Sequence, residues 1–435
     1  MNTNPQIYHG EWWVPAEADH GTRMFGHHQK QMMGLEKKYT GTLIYYGDGD
    51  TTLELYHVPS LYRFSSFGQN KVMWGQDANG HVFTLFNAHI FHKQIGDFSS
   101  TKYAVGLVLM GEHVLSIEDT RFKSCEVHYP YLRNWAFHND ITPSNAGTSI
   151  YFKTSFGAAK LLETINDDGA CWRLWQGQSI ERTIHDLTII QNTTLEIEAV
   201  KPLSIGAYLK QIEEFSQFLS IALYGDQNPI EVKFVLDKNI SNRRECVLLF
   251  KKDASVNPDI FTLIKFDLLK GKLPAMLNQW HDNFDKIAPI SSYLISSLKK
   301  KSRFDVPDFL IIAQALDGYH KRFVNKKDGK DHQKYEDGIR ILLEQFEDVE
   351  CIQKCHINPI ILRDSRNFYS HLSPDEEKKS AVDSADLYWL TEKCKILLTC
   401  CILNMLGLTN EEINLCCETQ SPIKQIIDSF PLEID

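Results

Sequence analysis

The chain has 435 residues, 43% of them hydrophobic and 23% charged, values of packed globular structure that exclude bulk disorder. No run approaches the roughly 20 consecutive apolar residues of a membrane span. Met1-Asn2-Thr3-Asn4-Pro5 has neither the basic nor the apolar region of a signal peptide, so a cytoplasmic protein with no membrane partner is expected. Net charge is −10, and from Arg303 onward 16 Lys and Arg face 24 Asp and Glu. So acidic a last third excludes a broad phosphate-binding surface, and any nucleic acid must meet a local basic spot.

Residues 7 to about 200 read as β-rich. Gly41-Thr42-Leu43-Ile44-Tyr45-Tyr46 and Thr52-Leu53-Glu54-Leu55-Tyr56 flank Gly47-Asp48-Gly49, a hairpin signal. Val82–Phe86, Tyr103–Leu109 and Leu187–Ile190 are further strands, and a sandwich or barrel-like sheet is the natural container. Trp12, Trp13, Trp74, Trp135, Trp172 and Trp175 read mainly as core, with a subset suited to a ligand groove or partner surface. Histidines His27-His28, His89 and His92 have no acidic or cysteine partner at metal-ligand spacing, and Gly47-Asp48-Gly49-Asp50 lacks the distal glutamate of a calcium loop.

A helical period at Tyr208, Ile212, Phe215, Phe218, Leu219 and Ala222 is followed by strands at Ile230–Leu236 and Val247–Phe250. Pro289, the basic run Lys299-Lys300-Lys301-Ser302-Arg303 and Pro307 mark the expected domain boundary, separating residues 1–300 from 303–435. Beyond Pro307 the pattern is helical: Phe309, Ile312, Ala313, Leu316, Tyr319, His320 and Phe323; then Ile339, Leu342, Leu343 and Phe346; then a long stripe from Leu387 to Leu406 ended by Gly407. The fold class is therefore α+β and multidomain, a β-rich sandwich or barrel-like region with packed helices followed by a small all-α bundle. Ten cysteines in such a chain are expected to be reduced and mostly buried. Cys400-Cys401, Cys416-Cys417 and the group Cys351, Cys355, His356 invite a zinc proposal but show no repeated CxxC knuckle.

Arg366-Asn367-Phe368-Tyr369-Ser370-His371 is the most informative string. It joins a permanent cation to the side chain whose ordinary pKa, about 6.5, allows proton transfer near neutrality. Those are the groups RNA cleavage without a metal requires, since the ribose 2′-OH attacks its own phosphate and needs a base, an acid and positive charge on the phosphorane. The string fits one helix, from Ile360 to Leu372, between Asn358-Pro359 and a capping-box pattern Ser373-Pro374-Asp375-Glu376. On that helix a spacing of five separates the side chains by about 140° and about 7.5 Å along the axis. Either the last turn is distorted, or a second copy completes the site across a two-fold axis. The structural alternative pairs Arg366 with Asp364 or Glu376 and leaves His371 against its own helix end.

Arg-Asn-x-x-x-His, followed by a long amphipathic helix, resembles the RxxxxH motif of HEPN ribonucleases over residues 303 to 435. With Ala315-Leu316-Asp317-Gly318-Tyr319-His320 and the opening Gly10-Glu11-Trp12-Trp13-Val14-Pro15, the chain resembles the ApeA-type abortive-infection family of phage-defence proteins over nearly its whole length. The resemblance implies a β-rich sensing and regulatory region at 1–300 and a HEPN ribonuclease domain at 303–435. It implies metal-independent cleavage of RNA, with tRNA the expected substrate, at a site composed across a homodimer or higher even oligomer and restrained until a phage protein binds the N-terminal region. Carried over, Arg366 stabilises the phosphate, His371 serves as base or acid, Asn367 is the polar residue following the arginine, and Asp317 is the acidic residue of the first helix; no cofactor is expected. Two rivals remain: a HEPN bundle that only dimerises, and a carbohydrate- or peptide-binding β module on a helical scaffold.

Overall fold

The computed structural model describes residues 5–15, 37–47, 51–57, 71–94, 96, 99–118, 120–136, 142–146, 149–153, 159–165, 169–182, 187–236, 245–250, 262–299, 306–325, 334–374, 378–418 and 420–431. His27 and His28, Asp48 and Asp50, the run from Lys300 to Arg303, and Asp375 and Glu376 of the expected capping box lie outside the described residues.

The N-terminal strands β1 (Gln6–Trp13), β2 (Tyr39–Tyr45), β3 (Thr51–Tyr56), β4 (Lys71–Asp77), β5 (Val82–Gln94) and β6 (Ser100–Val105) close on themselves. β1 pairs with β2 and β4, β2 with β3, β3 with β6, and β6 with β5, which returns to β4, giving a six-stranded antiparallel barrel with no free edge. Its core holds Trp12, Leu43, Leu53, Phe83, Leu85 and Tyr103. The opening Gly-Glu-Trp-Trp string has a steric reason: Trp12 is fully buried, and a Cβ on Gly75 of the paired strand would come 2.0 Å from its ring.

Tyr103–Leu109, expected as one strand, is two, because the chain changes sheets at Gly106. Its N–H donates to the Phe86 carbonyl at 3.2 Å, where β5 also passes from one sheet to the other, with Asn87 at φ +55°. β5 thus pairs with β6 in the barrel and, through Phe83–Phe86, with β7 (Leu107–Met110) of a second sheet. That sheet adds β8 (Arg121–His128) and, after the short α1 (Leu132–Trp135), a separate β9 (Thr142–Ala146) and β10 (Ser149–Lys153) hairpin intervenes. It continues with β11 (Ala159–Ile165), β12 (Ala170–Arg182) and β13 (Leu187–Ser204). Beyond α2 (Ile205–Leu223) come β14 (Glu231–Val235) and β15 (Glu245–Phe250), giving the order β11-β12-β13-β8-β14-β15-β7.

Helix α2 is capped by Ser204, whose hydroxyl accepts from the Ala207 N–H at 3.2 Å, and its buried stripe Tyr208, Ile212, Phe215 and Phe218 packs on this sheet. After α3 (Phe266–Leu269), the 27-residue α4 (Leu273–Lys299) lies against α2: Trp280 donates its indole N–H to the Glu214 carbonyl at 2.9 Å, and His281 meets the Glu214 carboxylate at 2.8 Å. Pro289, expected near a boundary, is inside this helix. The stripe Leu277, Trp280, Phe284, Ile287, Ile290 and Leu294 is buried on both sides of it, and that burial outweighs the roughly 3 kcal/mol an interior proline costs.

The remaining elements are α5 (Val306–Tyr319), a π-helical turn at His320–Val324, α6 (Tyr335–Gln345), α7 (Glu350–Cys355), α8 (Pro359–His371), α9 (Ser384–Met405), α10 (Asn410–Glu418) and α11 (Pro422–Asp428). α9 is the central rod, buried through Cys394, Leu397, Leu398 and Cys401, and it stops at Gly407 with φ +87°. One apolar core runs without a break from the second sheet through α2 and α4 into this bundle. The molecule is therefore α+β, a β-rich N-terminal region with a closed barrel followed by an all-α bundle.

Candidate active site

Helix α8 begins where its sequence says it should. Asn358 caps it, its side-chain oxygen accepting from the N–H groups of Ile360 at 2.9 Å and Ile361 at 3.3 Å, and Pro359 occupies the first turn, where no N–H is needed. It ends at Leu372, held left-handed at φ +51°, with the Ser373 N–H closing back on the Phe368 carbonyl at 3.1 Å. The inward face is fastened at several points. Ser365 is fully buried and its hydroxyl accepts from the Val382 N–H at 3.1 Å, while the Tyr369 hydroxyl donates to the Val382 carbonyl at 2.9 Å. The Tyr369 ring meets Phe309 of α5 edge-on.

The two arginines of this helix have different surroundings. Arg363 is neutralised, holding Asp364 through two nitrogens at 2.8 and 2.9 Å and also pairing with Glu336 of α6. Arg366 forms no ion pair among the described residues. Its guanidinium lies 5.4 Å from the centroid of the Tyr335 ring, the first residue of α6, and one nitrogen donates to the Asn367 side-chain oxygen at 3.1 Å. The alternative pairing with Asp364 is thus taken by Arg363. Asn367 sits beside Arg366 as a hydrogen-bond partner, a placement that leaves the guanidinium its charge.

Tyr335 is fixed in turn by donating its hydroxyl to the Ala313 carbonyl of α5 at 3.1 Å. Burial chiefly, with the Cys394 thiol and the Asp317 carboxylate adding, pushes its phenol well above the ordinary value, while Arg366 opposes. Asp317 therefore lies within electrostatic reach of this cluster, paired to Lys321 at 2.7 Å. His371 stands exposed in the last turn of α8, with no hydrogen bond or ion pair among the described residues. The helix is regular through His371, so the distorted-turn option for bringing it to Arg366 does not apply.

Tyr335 is the neighbour of Arg366 that the motif does not reveal. It is 31 positions before Arg366 and carries no spacing signal; only the packing of α6 against α8 joins them. Elsewhere, His89 and His92 are exposed on β5 and join no metal-ligand cluster among the described residues. Cys351, Cys355 and His356 do not converge either: Cys355 is buried, with burial raising its thiol pKa, and His356 forms the left-handed end of α7. Trp12, Trp13, Trp135 and Trp172 are core, whereas Trp175 lines an open groove of about 460 Å³ with Glu126, Gln178, Asn192, Thr194 and Glu196, its indole donating to Glu196 at 2.9 Å.

The chain thus joins a closed barrel and a helix-backed sheet to a helical bundle in which one helix carries an Arg and a His five residues apart, and its matches to known families place it in an anti-phage defence nuclease family. The chain matches the family described as ApeA N-terminal domain 1 over residues 7–280 and the Apea-like HEPN family over residues 310–412. It belongs to the ApeA family, with a C-terminal HEPN domain of a kind that is generally a ribonuclease, commonly dimerises and binds RNA. No curated protein and no solved structure matches it. Among the described residues, no helix is long and apolar enough to cross a membrane.

Proposed function

We propose that this chain is a restrained cytoplasmic RNA endonuclease of phage defence, with its chemistry in residues 303–435 and its control in residues 1–300. Arg366 binds and stabilises the phosphate, Asn367 orients it, and His371 transfers a proton. The observation that carries this reading is the contrast on α8: Arg363 is bound to two carboxylates, while Arg366, three residues on, is held by an aromatic face and keeps its charge for an incoming anion.

Because a regular helix places Arg366 and His371 about 140° apart, two copies of α8 are needed to surround one phosphate. Across a two-fold axis one His371 takes the 2′-OH proton and the other supplies a proton to the leaving oxygen, with both Arg366 side chains on the phosphorane. Leu372, the cap residue next to His371, is 88% exposed and offers a second copy an apolar contact beside the motif. tRNA is the proposed substrate and a phage protein the proposed trigger, received on the N-terminal region. The continuous core from α2 through α4 to α5 and α9 gives that region a rigid path to the bundle.

The test is phage protection followed together with RNA integrity in cells carrying His371→Ala or Arg366→Ala. Loss of both protection and cleavage is expected; unchanged protection with unchanged cleavage removes the motif from the mechanism.

A further inference from the structure

Ten cysteines are described and all are buried and unbridged, but three of them are not dispersed. Cys351 of α7, Cys400 of α9 and Cys417 of α10 bring their sulfur atoms within 4.8 Å of one another, with Cys351 and Cys400 at 3.8 Å. All three sulfurs lie in residues at most 1% exposed. Among the described residues this is the one such convergence of metal-ligating atoms, and it joins helices that lie 49 and 66 residues apart in the chain.

We propose that Cys351, Cys400 and Cys417 form a structural zinc site that clamps α7, α9 and α10. The spacing of Cys351 and Cys400 suits the ion, since with Zn–S bonds of about 2.3 Å adjacent sulfurs of a tetrahedral site stand about 3.8 Å apart, and the Cys417 sulfur, within 4.8 Å of both, supplies a third of the four positions. Thiolates select soft d10 cations. Between the common ones charge decides: three thiolates leave a net charge of −1 with Zn²⁺ but −2 with Cu⁺, and burying the larger charge costs more. The ion binds as each thiol proton leaves to solvent, and in so enclosed a place it enters while the chain folds.

The position gives the clamp a consequence. α7 ends at Cys355, and two residues beyond its left-handed His356 stands Asn358, the cap of α8. Fixing α7 to α9 and α10 therefore fixes the base of the helix that carries Arg366 and His371. α10 is also touched from the N-terminal side, by Lys265 donating to the Leu415 carbonyl at 3.1 Å and by Lys272 paired with Glu412, so the clamp sits at the seam of the two regions.

The site does not depend on RNA cleavage, and its test is metal content. The full chain, expressed with added zinc and purified under reducing, oxygen-free conditions, should carry about one zinc per chain by elemental mass spectrometry. Cys400→Ala and Cys417→Ala should lose it, while Cys394→Ala, a buried cysteine outside the trio, should keep it. If the trio variants do not fold, the unaltered chain produced with cobalt should show the charge-transfer absorption of cobalt thiolate. Zinc-free protein without that absorption, zinc retained by Cys400→Ala, or copper in place of zinc would each overturn the proposal.

Discussion

The Arg366 guanidinium rests over the ring of Tyr335, 5.4 Å from its centroid, and the Tyr335 hydroxyl is tied to the Ala313 carbonyl of α5 at 3.1 Å. The cation is thereby placed by an aromatic surface that withdraws none of its charge, where a carboxylate would have neutralised it. Tyr335→Leu removes that surface, and a cation–π contact of about 0.5–2 kcal/mol predicts single-turnover RNA cleavage falling by roughly 2- to 30-fold. Tyr335→Phe keeps the ring and gives up one hydrogen bond, so it should lose about 1 kcal/mol of stability and little activity.

Arg363 and Arg366 separate stability from chemistry. Arg363→Ala strands Asp364, whose side chain is 7% exposed, and should destabilise the bundle by about 1–3 kcal/mol in denaturant unfolding. Arg366→Ala breaks no ion pair among the described residues and gives up the contact with the Tyr335 ring, so it should cost about 0.5–1 kcal/mol, less than Arg363→Ala, while abolishing cleavage. Equal losses of stability in the two variants would contradict the division of roles.

Leu372 is both strained and exposed, at φ +51° with 88% of its surface accessible. Leu372→Asn replaces it with a residue that tolerates the left-handed region, so the monomer should unfold no more easily than before. If α8 packs on its symmetry mate, losing this apolar contact of about 1.5–3 kcal/mol should weaken the dimer tenfold or more by sedimentation equilibrium.

His320 sets a pH dependence. It is 5% exposed, its Nε2 has no hydrogen-bond partner among the described residues, and burial chiefly, with Lys321 assisting and Asp317 opposing, holds its pKa below the ordinary value. The unfolded chain then binds the proton more readily, so stability falls as pH drops below about 6.5 toward the folded-state pKa and is flat above it. His128, also lowered mainly by burial, contributes in the same sense. His320→Leu should reduce the slope of unfolding free energy against pH in that window, and an unchanged slope would assign it wholly elsewhere.

Local features of the fold were legible because local chemistry sets them: the Asn358-Pro359 start of α8, the Tyr208 to Ala222 stripe of α2, the Gly407 stop of α9 and the stripe of α5 all read directly from spacing. The closed barrel was not, since β5 serves two sheets and Gly106 divides an apparently single strand between them, facts of long-range pairing that no window reveals. Pro289 misled as a boundary because burial of its neighbours outweighs its local preference. At the site, Arg366 and His371 were visible as a motif, while Tyr335 and the Cys351, Cys400, Cys417 convergence depend on helices brought together from distant sequence.

The most direct test of a cleavage site shared by two copies mixes the active chain with His371→Ala chain at equal amounts, lets dimers exchange, and measures RNA cleavage. If both histidines of a dimer are required, only the unmixed active dimers cut, and activity should fall to about one quarter of that of undiluted active chain at the same total concentration. Activity of about one half, in direct proportion to the active chain, would show that each copy cuts alone and would contradict the shared site.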